Sequence, residues 1–358
     1  MRLVKRPLLL LTLCSALALG SLTLGACGGG DDDDGATGGP DAGGGGTGTD
    51  AGGGGTGTVD PAGENHTYVI SDVRVPQNAA EATMFGLNID GDTSNGGVGT
   101  VDNALGGLLG MLSSLLSFDL QGTVTEQIAK GGVILLANLK ATDLTNASGV
   151  GLYVYLGDDP SPLPCENAED TTCGHHLDGS GSFGISASSP DNALIVGENA
   201  NGTFKGGPGE VTIQLSLSDA APIQLRLVAA QSEVSVAADG LTSGKLGGAI
   251  TMDDITNNIL PAVAGIAAGI VADDPSCTLG PPDCCDAGTA KTVLMLLDAD
   301  HNCEISVEEV QSNTTITNFL TPDVDLLDAS GNPGTDDIAD SISLGIGFSA
   351  VTGTFAPP

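Results

Sequence analysis

The stretch GVILLANLKATDLTNASGVGLYVYLGD, residues 132–158, carries the clearest indication of the fold. Its two apolar runs, 132–144 and 149–158, flank a short polar segment, which is the pattern of two buried strands joined by a turn. The pattern recurs along the chain with turn-forming residues between the runs, at 67–75, 83–90, 193–197, 201–205, 210–217, 223–238 and 340–355. Strands spaced this densely predict a mostly antiparallel sheet.

Two longer apolar segments, 103–118 and 253–272, predict buried helices. The first is too short to span a bilayer, which takes about 20 residues, although a helix lying at a lipid surface is an alternative. In the second, Asp253 or Asp254 suits the helix start, and Pro261 predicts a start or a kink. The expected fold class is therefore α+β: a β-rich, mostly antiparallel sheet covered by two apolar helices, with a C-terminal EF-hand-like helix-loop-helix insertion.

Residues 1–26 have the form of an export signal, with Arg2, Lys5 and Arg6 ahead of an apolar run that closes with LGAC at 24–27. This tetrad resembles the lipobox of bacterial lipoproteins. The resemblance implies cleavage before Cys27, acylation of Cys27 with palmitate-type chains, and a membrane anchor, which several acyl chains make stable. Gly28 is not the Asp that retains lipoproteins of the enteric type in the inner membrane, so the outer membrane of the cell envelope is favoured. An ordinary signal with an unrelated Cys is the alternative.

The segment 27–63 is a repetitive tract of Gly, Thr, Asp and Ala, in which DAGGGGTGT occurs at 41–49 and again at 50–58. Such a composition cannot bury a core and predicts a disordered tether. The remaining chain divides by pattern into a β-rich part with buried helices, 64–272, a disulfide-linked EF-hand-like segment, 273–321, and an acidic loop with a C-terminal strand that completes the main domain, 322–358.

The formal net charge is −35, from ten Lys and Arg against 45 Asp and Glu. Nucleic acids and anionic lipid surfaces both require a basic footprint, so the charge argues against them as partners. An acidic surface attracts cations and keeps a protein soluble. With no Trp, three Tyr and seven Phe, the chain also has few rings on which sugars or bases could stack.

The chain has eight Cys, of which Cys14 lies in the signal and Cys27 is the expected lipid attachment site. An even number of remaining cysteines in an exported protein predicts three disulfides, here among Cys165, Cys173, Cys277, Cys284, Cys285 and Cys303. Cys165 and Cys173 flank a short polar loop and are expected to pair, whereas the partner of Cys303 stays open among Cys277, Cys284 and Cys285. Zinc at His175 and His176 is disfavoured, because an oxidised Cys173 cannot be a ligand and other spaced ligands are lacking.

The segment LDADHNCEISVEEV, 297–310, resembles an EF-hand calcium loop. The resemblance assigns Asp298, Asp300 and Asn302 to positions 1, 3 and 5, the carbonyl of Glu304 to position 7, Ser306 to position 9 and the closing carboxylate of Glu309 to position 12. Cys303 replaces the usual glycine at position 6, where a positive φ is preferred. We expect a disulfide to hold this bend. A degenerate loop with solvated acids is the alternative.

Two further segments look like the calcium loops of extracellular repeats, with looser spacing. The first contains Asp90, Asp92, Ser94 and Asp102, and the second contains Asp328, Ser330, Asn332 and Asp340. They bracket the domain, which suggests that its first and last elements meet. Solvated turns are the alternative for both.

The segments DNALG, at 102–106, and DSISLGIGFSA, at 340–350, resemble uncharacterised bacterial envelope lipoproteins, which implies a location but no activity. The motifs G-x-S-x-G and H-E-x-x-H and a phosphate loop are missing, so an enzyme is not expected. The expected function is a lipid-anchored, calcium-binding envelope protein with a display, adhesion or structural role and an unknown protein or matrix partner. A hydrolase with structural calcium and a lipid or small-ligand carrier that uses the apolar helices are the alternatives.

Overall fold

The computed structural model describes residues 60–91, 101–116, 119–165, 173–191, 193–216, 222–327 and 334–358. The predicted signal, Cys27 and nearly all of the predicted tether lie outside the described residues. The same is true of five predicted calcium ligands, Asp92, Ser94, Asp328, Ser330 and Asn332.

Eight antiparallel strands form a closed barrel. The strands of the structure are β1 (Glu64–Arg74), β2 (Leu135–Ala141), β3 (Ala147–Ser161), β4 (Ser182–Ile185), β5 (Leu194–Ala200), β6 (Thr203–Leu215), β7 (Ile223–Ala237), β8 (Gly240–Thr251) and β9 (Ser341–Thr352). Around the barrel the strands pair in the order β1, β2, β3, β5, β6, β7, β8 and β9. Strand β9 also pairs with β1, which closes the ring. The short strand β4 pairs with the end of β3 and is not part of the ring.

The closed barrel corrects the predicted covered sheet. The α+β class and the antiparallel pairing are confirmed, but the sheet curls until its first and last strands meet, with Tyr68 opposite Thr352 and Arg74 opposite Gly347. Closure pairs the edge strands that an open sheet would leave free. Pairing between the two ends of the domain has no local signal in the sequence, so strand patterns alone do not indicate it.

The barrel interior is a packed apolar core. One face of each strand points inward and the other outward, because side chains alternate along a strand. The fully buried inward residues belong to one cluster that includes Tyr68, Leu139, Leu152, Leu156, Ile195, Phe204, Ile213, Leu225, Leu227 and Leu241. An eight-stranded barrel is just wide enough for side chains to fill it. The apolar cavity lined by Ile70, Leu152 and Phe348 has a volume of about 20 Å³, which is the space of a single water molecule.

All α-helices of the described residues lie in two connections of the barrel. Between β1 and β2 are α1 (Ala79–Phe85), α2 (Ala104–Leu116) and α3 (Leu120–Ala129). Between β8 and β9 are α4 (Met252–Asp254), a π-helical turn (Ile255–Ile259), α5 (Leu260–Asp273), α6 (Gly288–Leu297), α7 (Val307–Ser312) and α8 (Thr314–Phe319). Because neighbouring strands are antiparallel, both connections leave from the same end of the barrel. A 3₁₀ turn at His175–Leu177 precedes β4.

The helices extend the barrel core. Leu105 and Leu108 of α2, Ala267 of α5, Val293 of α6 and Val310 of α7 are buried in the same cluster as the barrel interior. The helix-loop-helix therefore packs on the common core, and Gly57–Pro358 form one compact unit. The two predicted apolar helices are confirmed at 104–116 and 252–273, but they pack with the end of the barrel rather than across the face of an open sheet.

Several predicted elements differ from the structure. The predicted strand at 83–90 is wrong: the chain there completes α1 and then makes a single bridge between Leu87 and Asp102. The side chain of Asn78 caps α1 by accepting a hydrogen bond from the amide of Glu81, and this cap favours the helix over the strand. The predicted strands 201–205 and 210–217 form one strand, β6, whereas β8 and α3 have no counterpart in the prediction.

The helical run Met252–Asp273 is the longest in the described part of the chain. Its length and its mean hydropathy of 1.6 would allow it to cross a membrane. In its most apolar stretch, 33% of the residues are buried inside the protein. Ile255, Ile259 and Ala264 pack in the common core. Pro261 has no amide hydrogen to donate, and the π-helical turn ends two residues before it, so the predicted disturbance near this proline is a change of helix type.

The segments at 102–106 and 340–350 meet in the structure. The side chain of Asn103, which is 9% exposed, donates to the carbonyls of Ala82 and Gly345 and accepts from the amides of Gly345 and Gly106. The amide of Ala104 donates to the hydroxyl of Ser343. The prediction that the first and last elements of the domain meet is confirmed by these contacts.

Candidate metal centre

The loop between α6 and α7 is held at both ends by buried helix faces. Val293, Leu294 and Leu297 of α6 are buried, and so is Val310 of α7. Asp298 directly follows α6 and Ser306 directly precedes α7. The predicted helix-loop-helix is therefore confirmed, with the loop at the predicted residues.

Three carboxylates converge in this loop. One carboxylate oxygen from each of Asp298, Asp300 and Glu309 lies within 4.8 Å of the other two, so this group could hold a metal ion. Asp298 is only 3% exposed, Glu309 is half-buried, and Asp300 is exposed. The site is thus open to solvent on one side and closed by the protein on the other.

Backbone amides fix the carboxylate of Asp298. One of its oxygens accepts from the amide of Asn302 at 3.0 Å, and the other accepts from the amide of Cys303 at 3.0 Å. The carboxylate of Asp300 accepts from the same Asn302 amide at 3.1 Å and from the Asn302 side chain at 3.0 Å. These bonds bend the loop around the two aspartates, which leaves other lone pairs of their oxygens for a cation.

Glu309 closes the loop from the first turn of α7. Its Oε2 accepts from the amide and the hydroxyl of Ser306, both at 2.9 Å, and the Ser306 hydroxyl accepts from the Glu309 amide. Its Oε1 accepts from the amides of Ala299 and Asp300. Burial acts to raise the pKa of Glu309, but these hydrogen bonds outweigh it and lower the pKa, which keeps the carboxylate ionised.

A disulfide holds the sharp turn at position 6. Cys303 adopts φ of +73°, in the region that favours glycine, and it is bonded to Cys284. The expectations that this position has a positive φ and that a disulfide holds it are both confirmed. Cys284 Sγ also lies 3.9 Å from Asp298 Oδ2, so the disulfide borders the carboxylate that is most buried.

The other cysteines pair as Cys277–Cys285 and Cys165–Cys173. The three predicted disulfides are confirmed, and the open choice for Cys303 is resolved in favour of Cys284. The adjacent residues Cys284 and Cys285 therefore belong to different bridges, and together with Ala290 and Leu294 they form a small buried cluster against α6.

The predicted ligands Asn302, Glu304 and Ser306 surround the three carboxylates in supporting positions. The side-chain oxygen of Asn302 accepts from the amide of Glu304 at 2.7 Å, and its amide group donates to Asp300. The side chain of Glu304 is exposed, which agrees with a role for its carbonyl rather than its carboxylate. The hydroxyl of Ser306 is bonded to Glu309.

The arrangement is chemically suited to a cation. Three negative charges within 4.8 Å of one another repel by about 1 kcal/mol per pair in water, and by more where water is excluded. A bound cation would convert this repulsion into attraction. All the donors are oxygens, which is the preference of hard cations such as Ca²⁺ and Mg²⁺ rather than of Zn²⁺.

The two weaker loops are described only at their ends. Asp102 accepts from the amide of Ile89 at 2.6 Å, and Asp340 accepts from the amides of Leu326 and Leu327. Burial, with smaller contributions from the charges of Asp90 and Asp323, raises the pKa of Asp102. In the described part of the chain, Asp102 and Asp340 therefore hold together the two ends of their own loops.

Sequence reasoning missed two features of the site. The first is the pair Ser306 and Glu309, which forms a capping box in addition to its predicted ligand positions. The spacing S-x-x-E before an apolar helix face is a signal from which it could have been predicted. The second is the contact of Cys284 with Asp298, for which the sequence carries no signal because it depends on the disulfide pairing.

Comparison with known proteins adds no relative: no protein-family model, no curated protein and no solved structure matches this chain.

Proposed function

We propose that the protein is a lipid-anchored envelope protein whose loop 298–309 binds Ca²⁺, with a non-enzymatic display, adhesion or structural role. The observation that carries the calcium proposal is the convergence of Asp298, Asp300 and Glu309 within 4.8 Å, each already oriented by hydrogen bonds. A group oriented in advance loses little conformational entropy when the ion binds.

The donor set and the form of the loop favour Ca²⁺ over Mg²⁺. Ca²⁺ takes six to eight oxygens in flexible geometry and accepts carbonyls and bidentate carboxylates, whereas Mg²⁺ demands a near-ideal octahedron and retains its water. The spacing of Asp298, Asp300, Asn302 and Glu309 matches the alternate ligands and closing Glu of a calcium loop. The exposed side of Asp300 leaves room for water ligands.

Calcium would act on stability because the loop joins two helices of the common core. Extracellular calcium modules bind with dissociation constants of about 10⁻⁴–10⁻³ M. At about 2 mM Ca²⁺, one such site adds roughly 0.6–1.8 kcal/mol to the free energy of unfolding. The expected role is therefore to fix the helices between β8 and β9 against the barrel outside the cell or in the periplasm.

The test is thermal unfolding of the oxidised protein in Ca²⁺, in Mg²⁺ and in EDTA, for the unchanged chain and for Glu309→Gln. Gln retains the capping box with Ser306 but removes the closing carboxylate, so the helix is preserved while the site loses a charge. Glu308→Gln is the matched control, because Glu308 is exposed and lies one residue away on the same helix.

We expect Ca²⁺ to raise the melting temperature of the unchanged chain and of Glu308→Gln, with a smaller rise in Mg²⁺ and in Glu309→Gln. Identical melting curves in Ca²⁺ and EDTA for the unchanged chain would refute calcium binding at this loop. An equal calcium-dependent rise in Glu309→Gln would place the site elsewhere.

A further inference from the structure

A second pocket lies on the barrel wall, apart from the loop 298–309. Its volume is about 290 Å³, and it is lined by Asp72 and Arg74 of β1, Met84 and Phe85 of α1, residues 243–245 of β8, and residues 347–349 of β9. Three neighbouring strands and one helix therefore form it.

Two cations flank the central strand of this pocket. Gly347 of β9 pairs with Arg74 on one side and with Lys245 on the other. Strands lie about 4.8 Å apart, so the two basic residues are about 10 Å apart at their Cα atoms and can reach one small anion between them. Gly347 has no side chain and is covered by the ring of Phe85, so an anion held by both cations would lie on the outer side of that ring.

Both basic groups retain donors. Arg74 uses its Nε to contact Asp72 at 3.0 Å, which leaves its two terminal nitrogens without a protein partner within the described ranges. The Nζ of Lys245 likewise has no hydrogen bond or ion pair with the residues that the structure describes. An arginine fork and a lysine beside it are a common means of binding a carboxylate.

Beside the charged groups, the pocket is lined by the apolar side chains of α1 and by the hydroxyls of Ser243 and Ser349. Met84 is 51% exposed although it is a large apolar side chain, and the ring of Phe85 lies over Gly347, where a Cβ would approach it to 2.7 Å. On the opposite face of the sheet, the ring of Phe348 packs against Gly244 inside the barrel core. Gly347 thus lets the ring of Phe85 approach β9, and an apolar surface formed by Met84 and Phe85 adjoins the two cations.

We propose that this pocket binds the carboxylate head of a single-chain fatty acid, with Arg74 and Lys245 holding the carboxylate and the surface formed by Met84 and Phe85 receiving the start of the acyl chain. The ligand must combine a small anion with an apolar tail, because the pocket combines these two features and has few other polar groups.

The high negative charge of the protein does not oppose this binding at short range. Exposed charges farther away than about 8 Å are largely screened at physiological ionic strength. Within the pocket the charges are those of Arg74, Lys245 and Asp72, which leaves one net positive charge. Glu233, which pairs with Lys245 across β7 and β8, is neutralised by Lys205 at 3.1 Å.

The test is calorimetric titration of the purified, oxidised protein with octanoate, in EDTA so that the loop 298–309 holds no metal. 1-Octanol, which has the same chain without the charge, and acetate, which has the head without the chain, are the comparison ligands. The variants are Arg74→Gln, Lys245→Gln and Met84→Glu. Lys140→Gln is the matched control, since Lys140 is an outward-facing lysine on β2 that contacts Asp60 outside this pocket.

We expect one octanoate per chain, with weaker binding of 1-octanol and of acetate. Loss of a partly exposed charge-assisted hydrogen bond corresponds to roughly 5- to 20-fold weaker binding in Arg74→Gln and Lys245→Gln. Met84→Glu should weaken binding further by repulsion, and Lys140→Gln should bind as the unchanged chain does. Binding of 1-octanol as tight as that of octanoate, equal binding by all variants, or no saturable binding at millimolar octanoate would each overturn the proposal.

Discussion

The replacement of glycine by a disulfide-bonded cysteine at position 6 of the loop leads to a quantitative prediction. Two double variants separate the disulfide from the backbone conformation: Cys284→Ser with Cys303→Ser, and Cys284→Ser with Cys303→Gly. Both lack the bridge, and they differ only at residue 303. Because φ at this residue is +73°, the second variant should be the more stable of the two, although glycine is normally the more destabilising residue.

The magnitudes follow from the structure. The bridge spans a sequence separation of 19, for which the chain-entropy model gives about 3 kcal/mol of lost stability when it is removed. A left-handed conformation costs a residue with a Cβ about 1–2 kcal/mol. Glycine avoids this cost but loses up to about 1 kcal/mol more conformational entropy on folding. The Cys303→Gly chain should therefore exceed the Cys303→Ser chain by about 0.5–1 kcal/mol in its free energy of unfolding.

The assay is equilibrium unfolding in urea, followed by far-ultraviolet circular dichroism in EDTA, with the unchanged oxidised chain as the reference. The comparison requires that the free energy of unfolding fall equally steeply with urea concentration in the two variants. Greater stability of the Cys303→Ser chain would refute the argument that the loop needs a left-handed residue here. The Cys303→Gly chain should also bind Ca²⁺ at least as tightly as the Cys303→Ser chain does. The amide of residue 303 donates to Asp298, and this contact depends on the same bend of the loop.

Two other predictions concern the anchor and a buried histidine. Cys27→Ser should release the protein from the membrane fraction, and retention there would contradict the lipobox interpretation. His176 is 0% exposed, and burial lowers its pKa below the usual 6.5. The folded protein therefore favours the neutral ring, and its contribution to stability is fully present above about pH 6.5. This contribution is lost as the pH falls towards the folded-state pKa. His176→Gln should reduce this loss between pH 7 and 5 in urea unfolding, whereas His175→Gln, at an exposed position, should leave it unchanged; equal slopes in both variants would refute the assignment.

Much of the barrel was predictable because strand patterns are local. Alternation of inward and outward residues locates β1, β2, β3 and β7 within a few residues. Strand β8 was missed because GLTSGKLGGAIT is rich in glycine, which is rare in strands. In the barrel these glycines are required for packing, since a Cβ at Gly248 would lie 2.9 Å from Leu227.

The wrong strand at 83–90 shows how two local signals compete. Met84 and Phe85 suggest an apolar strand, yet the preceding residues contain Asn78 and Glu81 at the spacing of a capping box. In the structure Asn78 accepts from the amide of Glu81, while Glu81 accepts from the amide of Gln77. The capping residues decide the conformation here because they satisfy amides that a helix start would otherwise leave unpaired.

The candidate metal site was more predictable than the closure of the barrel, because its ligands lie within 12 consecutive residues. Position in a loop determines which side chains turn inward, so Asp298, Asp300 and Glu309 could be chosen without knowledge of the fold. The partner of Cys303 could not be chosen, since Cys277, Cys284 and Cys285 are all near in sequence. Only the folded structure, which joins Cys284 to Cys303 and Cys285 to Cys277, separates them.

The segments 102–106 and 340–350 are held together by hydrogen bonds in the core. Asn103 uses both of its amide hydrogens and both lone pairs of its oxygen within the core, on Ala82, Gly106 and Gly345. A Cβ at Gly345 would lie 2.6 Å from the carbonyl of Phe85, so this close approach requires a glycine. Since these bonds join α1, α2 and β9, the segments fix the meeting of the first and last elements.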